Sequence, residues 1–109
     1  NTIGEAAALV KQLNRRNVGI GLDSYHVLTG EGPGVYRSEH MRLVRHVHMS
    51  DENRRPPTPG ESQAAVLAGL RAAGYDARIA IEARFDDFDA EAPAALAFLR
   101  ECWVRSGAL

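Results

Sequence analysis

The sequence predicts an α/β fold with a parallel sheet, and two observations carry that reading. Three short apolar runs of strand length alternate with segments whose apolar residues recur at helical spacing. Each run also ends in an acid or an imidazole, and in such folds chemistry collects at the carboxyl ends of the strands. Alternation of this kind implies βαβ crossovers between parallel strands. The 109 residues amount to about one domain, taken as a single unit over 1–109.

Taken in order, residues 5–14 (EAAALVKQLN) are rich in helix formers and place Ala6, Leu9, Val10 and Leu13 on one face. Asn17 and Gly19 interrupt, and Val18–Leu22 reads as the first buried strand, ending at Asp23-Ser24-Tyr25-His26. The glycine-rich loop Thr29–Gly34 leads to a short helical piece around Tyr36–Leu43. Leu43–Met49 is the second strand. Arg54–Gly60 (RRPPTPG) cannot be a helix interior or a central strand, because its three prolines remove backbone donors and restrict φ. Ser62–Ala73 is an amphipathic helix with Gly74 where a left-handed C-terminal cap is expected. Arg78–Ile81 is the third strand, ending at Glu82. Asp89–Val104 closes the chain as a helix, with Pro93 tolerated if it lies in the first turn.

Composition narrows the function classes. An apolar share of 45% and a charged share of 25% describe a globular chain, not a disordered one. A net charge of -1 argues against a nucleic-acid binder with a broad basic face. No apolar run reaches the ~20 residues that span a bilayer, and the N-terminus carries no signal-peptide pattern. The single Cys102 excludes an internal disulfide and fits a reducing cytoplasm. The chain starts at Asn1, not at a methionine, which fits processing, trimming or a fragment.

The two-residue period of a strand sorts the side chains. Ile20 and Leu22 share one face of the first strand, with Gly19, Gly21 and Asp23 on the other. In the second, Leu43, Arg45, Val47 and Met49 alternate with Val44, His46 and His48. In the third, Ile79 and Ile81 oppose Arg78, Ala80 and Glu82. Asp23, His48 and Glu82 therefore arrive in the same sense on three successive strands. Glu82 follows a strongly apolar strand, where a buried charge requires a partner. Such an O/N donor set suits Mn²⁺, Mg²⁺, Co²⁺ or Zn²⁺. With no thiolate beside it, a closed structural zinc site is excluded from the leading readings. An ion with open positions chelates vicinal oxygens of a substrate and stabilises an enediolate, while a carboxylate moves the proton.

These residues resemble a known family. Asp23-Ser24-Tyr25-His26 is similar to the "D-x-[FY]-H" strand end of xylose isomerase-like TIM barrels, the sugar phosphate isomerase/epimerase group that includes D-tagatose and D-psicose 3-epimerases. His48-Met49-Ser50-Asp51-Glu52-Asn53-Arg54 followed by Pro59-Gly60 resembles "H-x-x-[DE]-x-x-R … P-G", and Gly74-Tyr75-Asp76 with Ile79-Ala80-Ile81-Glu82 resembles "G-Y-D-G-x-[IV]-x-[IV]-E". The sequence departs from the pattern at Glu61-Ser62, where a second glycine is usual, and at Ala77, which replaces a glycine.

The resemblance implies the C-terminal part of a (β/α)8 barrel, about three βα units of the eight. It implies Asp23, His48 and Glu82 as ligands of a divalent metal, Glu82 also as a catalytic acid/base, and His26 and Arg54 as contacts to the sugar. The remaining ligand and second glutamate of the family come from an earlier strand that the chain does not contain. The implied activity is isomerisation or epimerisation of a sugar or sugar phosphate through an enediolate, with this chain incomplete and inactive alone. A metal-dependent dehydratase, a phosphodiesterase resembling endonuclease IV, and a non-catalytic half-barrel module are the alternatives. The implied partners are a small sugar, without nucleic acid or membrane, and either further copies of the chain or a missing N-terminal barrel half.

Simpler roles are expected elsewhere. His46 is a half-buried strand residue, His40 is exposed, and Asp51, Glu52 and Arg55 belong to a solvated loop. Asp86, Asp87 and Asp89 form an acidic turn with Asp89 as the N-cap. Asp23 in isolation reads as a helix cap. Gly19-x-Gly21 and Thr29–Gly34 lack the features of a nucleotide-binding loop, and Cys102 beside Trp103 is a packed side chain.

Overall fold

A computed structural model describes residues 2–106. Residue 1 and residues 107–109, at the ends of the expected 1–109 unit, lie outside the described residues. Helix α1 (Ile3–Leu13) leads to β1 (Ile20–Asp23) and the helical turn α2 (Ser24–His26), which runs on as one π-helical turn, Val27–Glu31. Two 3-10 turns, Pro33–Arg37 and Glu39–Leu43, precede β2 (Val44–Met49). Then come α3 (Glu61–Ala72), β3 (Arg78–Ile81) and α4 (Phe88–Ser106). The three strands are parallel and lie in the order β1-β2-β3. Among the described residues, no helix is long and apolar enough to cross a membrane.

The apolar faces of the sheet form the core. Ile20, Leu22, Val44, Val47 and Met49 pack with Val66, Leu67 and Leu70 of α3 and with Ile3 and Ala7 of α1. Strict alternation along β2 fails at one point. Ile20 pairs with Val44, but Gly21 pairs with His46, so Arg45 is an extra residue bulged out of the ladder. The bulge leaves Arg45 exposed and turns Val44 into the core, on the side of Val47 and Met49 and not with His46 and His48. Downstream the expected faces hold.

Half of the stripe expected on helix α1 is buried. Ala6 and Val10 pack against the core beside Ile3 and Ala7, whereas Leu9 and Leu13 are exposed. Helix α3 ends as its sequence indicates. Gly74 adopts φ 79°, its N–H donates to the Arg71 carbonyl, and the Tyr75 N–H donates to the Leu70 carbonyl, a glycine-terminated cap. Helix α4 starts at Phe88, so Pro93 falls in its second turn and the Asp89 carbonyl has no intrahelical donor there. The cap is Asp87, whose Oδ1 accepts from the Ala90 N–H, and not Asp89. His40 is half-buried, with Nδ1 shielded from solvent, because Ser38 caps its turn.

Tyr36 fills the space over α3. Its ring is buried, burial pushes its phenol up to about 12, and its hydroxyl has no partner among the described residues. A Cβ placed on Gly69 would overlap that ring. Replacing a mid-helix glycine by alanine ordinarily stabilises by roughly 0.5–1 kcal/mol, but overpacking costs about 1–3 kcal/mol. Gly69→Ala is therefore expected to destabilise the chain by ~1–2 kcal/mol. A lower urea midpoint at unchanged slope would show it; an equal or higher midpoint would mean that the ring yields.

Candidate metal and substrate site

The carboxyl ends of the three strands bring the site together. In the ladder Asp23 pairs with His48 and His48 pairs with Ala80, two residues before Glu82. The Glu82 N–H donates to the Met49 carbonyl at 3.1 Å and so extends the β2–β3 ladder by one step. Ligand-capable atoms of Asp23, His48 and Glu82 all lie within 4.8 Å of one another. His48 Nδ1 stands 2.7 Å from Glu82 Oε2. The burial expected for Glu82 is not found, since 57% of its side chain is exposed. It sits just past the last strand residue, Ile81. It does have the partner that its position called for, in His48.

Asp23 serves two purposes at once. Its Oδ1 accepts from the Tyr25 N–H at 2.9 Å and caps α2, as an isolated strand-end aspartate would. Its Oδ2 faces Arg54 Nη1 at 3.7 Å. The same guanidinium lies 4.0 Å over the Tyr25 ring, a cation–π contact. Arg54 reaches this place because its backbone adopts φ 66°, uncommon for a non-glycine residue, with its N–H donating to the Asp51 carbonyl. His26 lies one turn beyond Asp23, edge-on to Tyr25 at 5.2 Å, and lines a cavity of about 230 Å³ with Asp23 and Glu31. His46 lies one layer below His48, with ring centroids 4.7 Å apart.

The donor set fits a divalent ion. Ligand atoms about 2.0–2.3 Å from a common centre stand at most ~4–4.6 Å apart. The three groups would thus close by only a few tenths of an ångström. Two carboxylates and one imidazole are the hard-to-borderline donors such ions prefer, and the exposure of Glu82 leaves room for further ligands.

Other residues support the site without having been singled out by sequence. Arg55 is not simply solvated: it donates to the Arg84 carbonyl (2.9 Å), Asp86 Oδ2 (2.9 Å) and Glu91 Oε2 (3.1 Å). Glu91 Oε1 in turn accepts from the N–H groups of Asp86 and Asp87. The loop that follows Glu82 is thereby clamped onto the loop that follows His48. Asp51, expected in a solvated loop, is half-buried and accepts from Thr58 Oγ1 (2.8 Å) and Gln63 Nε2 (2.7 Å). The partners of Arg55 lie 31 and 36 residues away, beyond the reach of any local pattern, and nothing in periodicity marks Gln63.

Residues 1–102 match the family described as Xylose isomerase-like TIM barrel. No curated protein matches. Among solved structures, D-psicose 3-epimerase from Clostridium cellulolyticum H10, crystallised with D-tagatose, is similar at 26% identity and a TM-score of 0.80, over 94% of this chain and 44% of that one. The 3-keto-D-glucoside 4-epimerase from E. coli is similar at 29% identity and a TM-score of 0.75, over 94% of this chain and 40% of that one. An L-ribulose 3-epimerase shares the fold at 20% identity and a TM-score of 0.85, over 99% of this chain and 43% of that one. The chain thus spans less than half the length of each of these structures.

Proposed function

The chain belongs to the xylose isomerase-like TIM-barrel family as a partial barrel, and from that premise we propose that it carries the C-terminal part of a metal-dependent sugar or sugar-phosphate isomerase/epimerase. The observation that supports this most is the convergence of Asp23, His48 and Glu82 within 4.8 Å at the ends of three parallel strands. The similarity to sugar epimerases at 26% and 29% identity points to the same substrate class.

In this reading Asp23, His48 and Glu82 hold a divalent ion, Mn²⁺, Mg²⁺, Co²⁺ or Zn²⁺. When bound, the ion supplies Lewis-acid stabilisation of negative charge on adjacent substrate oxygens. Glu82 removes a proton from the carbon next to the substrate carbonyl, leaving an enediolate, and a glutamate outside this chain returns one to the opposite face. The 2.7 Å contact between His48 Nδ1 and Glu82 Oε2 already brings these two ligands together. Arg54, oriented by Asp23 and Tyr25, and His26 bind sugar hydroxyls from the rim.

The sheet is also incomplete by itself. β1 and β3 are edge strands, and a groove of about 800 Å³ runs beside β3 and α4, where Phe88 and Val104 are 64% and 71% exposed. The remaining strands of a barrel would pair with these edges, consistent with an isolated chain that does not turn over.

The test is proton exchange. The full-length protein, supplied with Mn²⁺ or Co²⁺ in D₂O, is expected to place deuterium on the carbon next to the carbonyl of a ketohexose or ketose phosphate, as read by NMR. Absence of exchange across a panel of ketoses with either ion would refute the isomerase reading.

A further inference from the structure

Between the tips of β1 and β2 lies a buried polar group of side chains that nothing in the proposed chemistry uses. Ser24, Ser50 and Gln63 are each only 1% exposed. The Ser24 hydroxyl donates to the Ser50 carbonyl at 3.1 Å and accepts from the Ser50 N–H at 3.0 Å. These two bonds join the residue after Asp23 to the second residue after His48. The β1–β2 ladder ends at the Asp23–His48 pair itself. Past that point the side-chain latch, and not the ladder, holds the two strand tips together.

Gln63 secures the latch from α3. Its Nε2 donates to the Ser50 carbonyl at 3.1 Å and to Asp51 Oδ1 at 2.7 Å, and Thr58 Oγ1 donates to Asp51 Oδ2 at 2.8 Å. Both amide hydrogens are used, which fixes the orientation of the side chain. Gln63 Oε1 is buried without a partner among the described residues. A core of this kind tolerates isosteric apolar side chains more readily than half-made hydrogen bonds. The polar solution joins two strand ends, a helix and a loop into one unit directly beneath the candidate ligands.

We propose that Ser24 and Gln63 are positioning residues: the Ser24–Ser50 latch, held by Gln63, sets the separation of Asp23 and His48 and so the affinity of this site for a divalent ion. The inference rests on the metal reading given above. Asp23 and His48 approach within coordination reach only if the two tips neither splay nor slide. Between β1 and β2 the ladder stops at the Asp23–His48 pair, so beyond the ligands the latch is what ties these two tips to each other among the described residues. Partners hydrogen-bonded to a metal ligand itself typically change affinity by about 10–100-fold when removed; Ser24 and Gln63 act one step further out, through the residues that follow the ligands.

Titration of the full-length protein with Co²⁺, followed by its visible absorption, tests this, with far-UV circular dichroism reporting the fold. Ser24→Ala is expected to weaken Co²⁺ binding by up to about 10-fold, the lower end of that range, and to alter the absorption of the bound ion. Gln63→Met, which keeps the volume and removes both donors, is expected to shift both readouts in the same direction by a smaller factor. A purely structural role would lower the melting temperature yet leave the spectrum of the bound ion unchanged. Wild-type affinity and spectrum in folded Ser24→Ala and Gln63→Met would overturn the inference. If Ser24→Ala does not fold, Gln63→Met decides: weaker binding supports the latch and unchanged binding overturns it. Absence of Co²⁺ binding by the wild type removes the metal reading, and the latch proposal falls with it.

Discussion

Glu82→Gln is expected to lower turnover of the full-length protein by about 10²–10⁴-fold, the range over which a positioned acid or base contributes. The fold should survive the change. Glu82 is 57% exposed, lies beyond the last residue of β3, and touches the rest of the site through His48 alone among the ion pairs found. An exposed pair of this kind contributes on the order of 0–1 kcal/mol. Glutamine keeps the size and an oxygen that can still accept from the imidazole. It cannot take a proton, and an amide oxygen is a poorer ligand than a carboxylate for a hard cation. Turnover and deuterium exchange should therefore fall together, with the urea midpoint held within the scatter of surface substitutions. Activity close to wild type would remove Glu82 from the chemistry.

Some elements of the fold are legible in the sequence to the residue, and others are not. β3 was legible to the residue, because Arg78–Ile81 is bounded by a glycine-terminated helix and by Glu82. The end of α3 was legible for the same reason: a left-handed cap has few solutions, and glycine is the cheapest. Asp23, His48 and Glu82 were legible because strand parity is a strong constraint and three tips agree. The bulge at Arg45 was not. It depends on the register between two strands 20 or more residues apart, and a local alternation count cannot detect it. The same holds for the side of α1 that meets the sheet, and for the start of α4, where a helix beginning one residue earlier moves a proline into the second turn.

Polar contacts beyond the strand tips were the least legible. Ser24, Ser50 and Gln63 are common residues in unremarkable local settings, and their contacts span 26 and 13 residues of sequence. Arg55 and Glu91 are separated by 36 residues. Charge pattern places both at the surface, and it is only the fold that sets one beside the other. The exposure of Glu82 belongs to this class as well. An apolar strand predicts a buried successor only when the fold covers the position after it, and Glu82 is 57% exposed.

Asp23→Asn is expected to separate metal binding from folding more cleanly than any other change in the site. The carboxylate has two visible roles: Oδ1 caps α2 through the Tyr25 N–H, and Oδ2 faces Arg54 at 3.7 Å. Asparagine is as good an N-cap as aspartate, so the first role is kept. The second is a long, partly exposed pairing, with side-chain exposures of 34% and 21%, for which ~0–1 kcal/mol is the applicable scale. Arg54 also retains the Tyr25 ring at 4.0 Å, so its position does not depend on Asp23 alone. Stability without metal should then move by about 1 kcal/mol or less. The lost negative charge acts directly on a bound cation. With one of two carboxylates gone from the described donor set, affinity for Mn²⁺ should fall by about 100-fold or more, past the range found when only a ligand's supporting bonds are cut. Calorimetric titration of the full-length protein with Mn²⁺, beside thermal melts of the metal-free protein, measures both quantities in one preparation. Unchanged Mn²⁺ affinity would reduce Asp23 to the helix cap that an isolated strand-end aspartate usually is. Unchanged melting with a large loss of affinity would assign to one side chain both the cap that shapes the strand end and the charge that draws an ion to it.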